Sequence, residues 1–232
     1  MRAVMNDIEP ILGYHFQNKK LLEEALTHPS ISLQKAEKDI IFNYERLEFL
    51  GDSVLSLIVA ELLINKYPIE REGALAKRHS GLVHGEALAI IAENIGIGAF
   101  IMMTCGEDAS GGRHNRSNME NTLEAIIGAI YMDGGIEPAK TFIKKHWEKS
   151  IDDMIEPPKD AKTALQEWAQ GRGLPIPLYE VVKTTGPAHE PHFIVRVVVE
   201  GIEPMQAEGT SKKKAEKLAA ESLLLEIARN VC

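Results

Sequence analysis

The sequence predicts two folds in tandem: an all-α domain over residues 1–156, a short linker at 157–160, and a small α+β domain of α-β-β-β-α order over 161–232. Three observations carry this. Up to Met154 the apolar residues recur at helical spacing, with no convincing alternating stretch. From Phe193 to Val199, Phe, Val, Val and Val alternate with Ile, Arg and Val, which is the period of a half-buried strand. Between these regions Glu156-Pro157-Pro158-Lys159 sets two prolines among charges, as a short extended linker does.

The elements follow in order. Ile8 to Leu26 is helical with an interruption at Gly13, and Leu21, Leu22, Ala25 and Leu26 form its core face. Pro29 disfavours helix at the residue before it, so Thr27-His28-Pro29-Ser30 ends the stretch, with His28 expected to be buried or to cap the helix end. Asn43 to Ala60 is the next helix, closed by Lys66-Tyr67-Pro68. Gly73 to His84 carries Lys77, Arg78 and His79, expected as a solvated basic face. Glu86 to Ile95 is amphipathic and ends at Gly96 and Gly98. Ser110 to Arg116 is expected to be a flexible basic loop, and Ser117-Asn118-Met119-Glu120 a capping box opening a helix to Met132. Asp133-Gly134-Gly135 stops that helix, and Pro138 opens the last one of the domain, with Phe142, Ile143, Trp147 and Ile151 as its buried stripe. The second domain reads as a helix at Ala161–Gln170, strands at Tyr179–Lys183, Phe193–Val199 and Gln206–Gly209, and a helix at Ser211–Arg229. Ala215, Leu218, Ala219 and Ser222 are expected to face inward on the last helix.

An apolar fraction of 44% and a charged fraction of 26% are ordinary for a globular protein of 232 residues. Cys105 and Cys232 offer neither a disulfide framework nor metal-ligand spacing, which fits a reducing compartment. No signal peptide or membrane-length apolar run is present, so a cytoplasmic protein without a membrane partner is expected. The net charge of −8 argues against a polyanionic partner only until the chain is divided. Residues 159–232 hold ten Lys/Arg and ten Asp/Glu, while residues 1–158 hold sixteen and twenty-four. Phosphate binding depends on local potential, so clusters decide.

Two clusters stand out. On the Asn43–Ala60 helix, Leu47, Leu50, Val54, Leu57 and Ile58 form an apolar sector, while Glu45, Glu48 and Asp52 stack on another face. Stacked carboxylates repel, and a solvated acidic stripe is the ordinary account. Two details go beyond it. Gly51, mid-helix, costs about 1 kcal/mol against alanine and suggests a close approach to the backbone. Phe49 points roughly 140° from the apolar sector, toward an outside partner surface. Asn121 and Glu124 lie one turn apart on a second helix, with Glu120 nearby. Oxygen donors with no His/Cys spacing favour Mg²⁺, with Mn²⁺ as a substitute, and Glu48, Asp52, Asn121 and Glu124 would leave room for waters. In the second cluster, Lys212, Lys213 and Lys214 occupy the first turn of the last helix, with Lys217 one turn on. They oppose the helix dipole and repel one another, an arrangement explained if phosphate docks there.

These residues also carry a resemblance. Glu45-Arg46-Leu47-Glu48-Phe49-Leu50-Gly51-Asp52-Ser53-Val54-Leu55 resembles the signature of the ribonuclease III family, and the similarity extends over nearly the whole chain. Gly209-Thr210-Ser211-Lys212-Lys213-Lys214-Ala215 is similar to the double-stranded RNA-binding domain, a likeness covering 159–229. The resemblance implies a Mg²⁺-dependent endonuclease that cuts double-stranded RNA to 5′-phosphate and 3′-hydroxyl ends, with RNA rather than a small molecule as substrate. It implies that Glu48, Asn121 and Glu124 bind metal, that Asp52 positions metal-bound water, and that Glu45 contacts product or RNA. It implies a homodimer in which Phe49 enters a cavity on the partner. Thr163, Gln166 and Glu167 would touch one minor groove, the loop with Pro187 and His189 would enter the next, and the lysines would span the phosphates between. Two positions depart from the family's pattern: Asn121 stands where Asp is usual, and Tyr44 where Asn is frequent. The competing expectation is a non-catalytic duplex-RNA-binding protein on the same fold; a nucleotide phosphohydrolase leaves the lysine helix unexplained.

Overall fold

The structure, a computed structural model, describes residues 2–34, 42–158, 161–187 and 191–230. It divides into two units, Met1–Pro158 and Lys159–Cys232. The first helical stretch resolves into α1 (Arg2–Leu12) and α2 (Lys19–Ala25), parted at Gly13, whose φ of +70° suits glycine. Pro29 starts α3 (Pro29–Gln34), because a proline in a first turn lacks only an N–H that would have no helical partner. His28 caps this helix, its Nδ1 accepting from the Ser30 N–H at 3.1 Å. The unit continues with α4 (Glu45–Lys66), α5 (Glu72–Val83), α6 (Gly85–Ile95), α7 (Cys105–Ala109), α8 (Arg116–Gly134) and α9 (Ile136–Asp153).

Helix α8 is the centre of the first unit. Thr122 through Ile130 are all buried, so two full turns meet protein on every side. Its closest neighbour is α4, and two glycines set the approach. A Cβ on Gly51 would lie 1.7 Å from the Glu124 carbonyl oxygen, and one on Gly128 would lie 2.2 Å from that of Leu47. The α9 stripe of Phe142, Ile143, Trp147 and Ile151 is buried as expected, and the Trp147 indole donates to the Leu82 carbonyl at 3.0 Å.

Four local expectations are corrected. Leu57, placed in the core sector of α4, is 63% exposed: the buried sector is rotated away from it, toward Leu55 and Val59, which are buried. Arg78, expected on a solvated face, is 1% exposed. Its guanidinium forks onto Glu70 at 2.7 and 2.9 Å, donates to the Met154 and Ile155 carbonyls, and stacks on the Tyr67 ring. The 110–116 loop is tied rather than free, since Arg113 binds Asp108 at 2.8 Å and the Ile101 carbonyl at 2.8 Å. Finally, Asn115 caps α8, accepting from the Ser117 N–H at 2.9 Å, so Ser117 and Glu120 form no capping box.

The second unit has α10 (Ala161–Gln170), β1 (Leu178–Thr185), β2 (His192–Val198), β3 (Met205–Gly209) and α11 (Lys212–Asn230). The sheet is antiparallel in the order β1-β2-β3. Val197 and Val199 meet Leu165 and Ala169 of α10 and Ala219, Ala220, Leu223 and Ile227 of α11 in the core, and Val195 is also buried. The inward face of α11 therefore runs through Ala220 and Leu223, while Leu218 and Ser222 are half-buried. Gly209 has no room for a side chain, since a Cβ there would lie 2.6 Å from the Ala215 nitrogen.

Candidate metal centre and RNA-binding face

The α4–α8 crossing turns two acidic rows toward each other. Glu45, Glu48 and Asp52 come from α4; Glu120, Asn121 and Glu124 come from α8. Because Gly51 lets the Glu124 backbone approach, Glu124 is drawn to 8% exposure beside the α4 acids. Burial pushes its carboxyl up to about 8, and Asp52, Glu120 and Glu48 push the same way. Glu48 is raised by burial and by Glu45, Glu120 and Asp52. Glu120 is raised by burial, against a smaller opposing pull from His84. Glu45 lies at the margin, its carboxylate accepting from the Asn43 amide at 2.9 Å.

Among the described residues none of Glu48, Asp52, Glu120 and Glu124 forms an ion pair with a lysine or arginine. Nor, among these residues, does any group of three or more His, Cys, Asp or Glu side chains stand close enough together to grip a cation. The carboxylates face one another without converging. The donor set fits a hard dication: oxygens only, an excess of negative charge, and a buried carboxyl with no counter-charge.

Asn121 meets Tyr44, a residue to which the sequence assigns no role. Tyr44 is 3% exposed, and the Asn121 side chain acts on its hydroxyl. Burial chiefly raises this phenol to about 12, the Asn121 side chain opposes that, and Glu48, Glu45 and Glu107 add to it. Glu120, expected in a helix cap, instead sets its carboxylate against Gly85, where a Cβ would fall 2.4 Å from an oxygen. Periodicity can reveal neither contact, since each joins residues far apart in sequence.

On α4, Phe49 is 80% exposed and shares an outward apolar stripe with Leu57 and Ile64. On α11, Lys212, Lys213 and Lys214 are exposed, and the Lys214 N–H donates to the Ser211 hydroxyl at 3.2 Å. Lys212 lies 4.0 Å from Glu216 and Lys217 lies 4.0 Å from Glu221, while Lys213 and Lys214 have no ion pair among the described residues. Thr163, Gln166 and Glu167 are exposed on α10, as is Pro187 in the β1–β2 loop. His189, expected in the same loop, and Lys159 and Asp160, expected in the linker, lie outside the described residues.

Comparison with known proteins matches a family to each unit. The Ribonuclease-III-like family model matches residues 18–151, and the Double-stranded RNA binding motif matches 161–227. The chain is 48% identical over 229 residues to Ribonuclease 3 of Wolbachia pipientis subsp. Culex pipiens (strain wPip), covering 99% of each. It is 50% identical over 224 residues to Ribonuclease 3 of Ehrlichia ruminantium (strain Gardel), covering 97% of each. Among solved structures it resembles the nuclease domain of ribonuclease III from Campylobacter jejuni, with a TM-score of 0.56 and 41% identity, over 62% of this chain and 94% of that one.

Proposed function

The chain belongs to the ribonuclease III family, and on that premise we propose a Mg²⁺-dependent endoribonuclease cutting double-stranded RNA to 5′-phosphate and 3′-hydroxyl ends, in the processing of rRNA, mRNA and tRNA precursors in the cytoplasm. The observation that carries the reading is the pair of acidic rows on α4 and α8, packed around buried Glu124 with no lysine or arginine paired to them among the described residues. Glu48, Asn121 and Glu124 hold the cation, for which Mn²⁺ can substitute. When bound, the dication supplies a Lewis acid that offsets charge building on the phosphodiester. Asp52, exposed beside them, orients the attacking water, and Glu45 at the margin contacts RNA or product.

The second unit holds the duplex. Lysines in the first turn of α11 neutralise phosphates, while Thr163, Gln166 and Glu167 on α10 and the loop with Pro187 and His189 follow the minor groove, which reads shape with little sequence content. The exposed stripe of Phe49, Leu57 and Ile64 supports self-association as a homodimer. Another Campylobacter jejuni nuclease-domain structure is described as flexible in a region involved in dimer formation.

The test is cleavage of a long RNA duplex with Mg²⁺ and with EDTA, by the natural chain and by Glu124→Gln. Mg²⁺-dependent cutting is expected from the first, and a loss of at least a hundredfold from the variant, with duplex binding kept. Cutting in EDTA, or near-normal cutting by Glu124→Gln, removes the proposed centre.

A further inference from the structure

A glutamate in the middle of a phosphate-binding run is out of place. Glu216 stands among Lys212, Lys213, Lys214 and Lys217, where a free carboxylate would repel the anion that the lysines attract. Lys162 on α10 is misplaced in a similar way, since a lysine in a first turn opposes the positive end of its helix. Each resolves the other: the Lys162 Nζ donates to Glu216 Oε2 at 2.6 Å. We infer that Lys162 and Glu216 are positioning residues for duplex binding. Their bridge holds α10 and α11 in register, so that the minor-groove contacts of one and the phosphate contacts of the other meet a single duplex together. The inference rests on the reading of Thr163 and Gln166 on α10, and of the lysines on α11, as RNA contacts.

The glutamate is turned inward. Its side chain is 13% exposed, against 62% for Lys212 and 56% for Lys217 on the same helix. Its other oxygen lies 4.0 Å from Lys212, so one carboxylate is shared by a lysine from each helix. Flanked in this way, it offers little uncompensated charge to a phosphate. The Lys162 amine sits 4.5 Å from the centre of the Tyr179 ring on β1, and that residue packs against the core of the unit. A third element therefore fixes where the bridge lies. Ala161 beside Lys162 and Ala215 beside Glu216 are both buried, which roots each charge at the edge of the core. Lys162 also precedes Thr163 and stands one turn before Gln166, so its placement sets theirs. A pair only partly shielded from water adds little to folding, and its consequence falls on the geometry of binding.

Affinity for an RNA duplex in EDTA tests this in full-length proteins: the natural chain, Glu216→Lys, the swapped pair Lys162→Glu/Glu216→Lys, Thr163→Ala/Gln166→Ala, that variant with Glu216→Lys added, and Lys213→Ala/Lys214→Ala. Glu216→Lys replaces a negative charge with a positive one beside the phosphate path, so charge alone predicts tighter binding. Positioning predicts the opposite sign. Binding by Glu216→Lys should be about 5-fold weaker, in the range of coupling within one network, and the swapped pair should return to within about 2-fold of the natural chain. In the Thr163→Ala/Gln166→Ala background, where the α10 contacts are already gone, Glu216→Lys should cost less than about 2-fold. Tighter or unchanged binding by Glu216→Lys overturns the proposal, as does a swapped pair that recovers nothing. An equal loss in both backgrounds shows a folding effect and also overturns it. If Lys213→Ala/Lys214→Ala or Thr163→Ala/Gln166→Ala binds as well as the natural chain, the reading of the RNA contacts itself fails, and this proposal with it. Losses with both of those but none with Glu216→Lys leave the RNA-binding face standing and remove only the bridge.

Discussion

Glu124 joins the chemistry of the proposed centre to the stability of the chain. Its folded-state pKa of about 8 lies above the ordinary 4.5, so its contribution to stability is present below about 4.5 and is lost as pH rises through about 8. Glu48 and Glu120 are raised by burial and act in the same direction. His146 acts oppositely, because burial lowers it to about 4 and its cost appears only as pH falls below its ordinary 6.5. Metal-free protein should therefore lose a few kcal/mol between pH 6.5 and 8.5, since each tenfold difference in proton affinity is worth roughly 1.4 kcal/mol. Urea melts in EDTA should show the fall, Glu124→Gln should flatten it, and Mg²⁺ should restore stability at pH 8.5 in the natural chain alone. A flat natural profile would mean that the acids are better solvated than they look. At this scale the sequence shows the acids themselves, because residue type and one-turn spacing are local facts. It does not show that Arg78 is buried, because the groups that compensate its charge, Glu70 and the carbonyls of residues 154 and 155, come from outside its helix.

At the scale of the element, α4 has two faces that mutation can separate. One is pressed onto α8 where Gly51 admits the Glu124 backbone; the other carries Phe49, Leu57 and Ile64 outward. Gly51→Ala must move a backbone and should destabilise the unit by about 3 kcal/mol or more, seen as a lower urea midpoint. Phe49→Ala, at a side chain 80% exposed, should leave that midpoint nearly unchanged and weaken self-association at least tenfold in sedimentation. Should Phe49→Ala unfold the chain, or stay fully associated, the stripe is not the interface. The glycine and the outward Phe are legible in the sequence, since each is out of place on an amphipathic helix. The role of α8 as the central element is not, because a helix buried on all sides has no polar face to set its phase. Leu57 misleads for a related reason: an exposed apolar stripe and a core stripe look alike in sequence.

Across the whole molecule, charge is divided by task. All of the −8 falls in residues 1–158, which hold the acidic rows, while residues 159–232 are neutral and concentrate lysine at one helix end. The fold class of both units is legible because each announces its period, helical in one and alternating in the other. The pairing state of the lysines is not, because it depends on how each side chain extends. Lys212 and Lys217 each lean toward a glutamate one turn on, whereas Lys213 and Lys214 have no ion pair among the described residues. A lysine already near a carboxylate gives up part of that interaction to meet phosphate, so the four should contribute unequally to RNA binding. Lys213→Ala/Lys214→Ala should weaken binding of an uncleavable RNA duplex and reduce the slope of log affinity against log salt by about 2, near one for each phosphate left without its lysine. Lys212→Ala/Lys217→Ala should reduce it by about 1 or less. Binding titrations at several salt concentrations in Ca²⁺ or EDTA separate the two pairs without cleavage. Equal slopes for both double variants would show that the ion pairs dissolve on binding, and an unchanged slope for Lys213→Ala/Lys214→Ala would return the first turn of α11 to an ordinary solvated face.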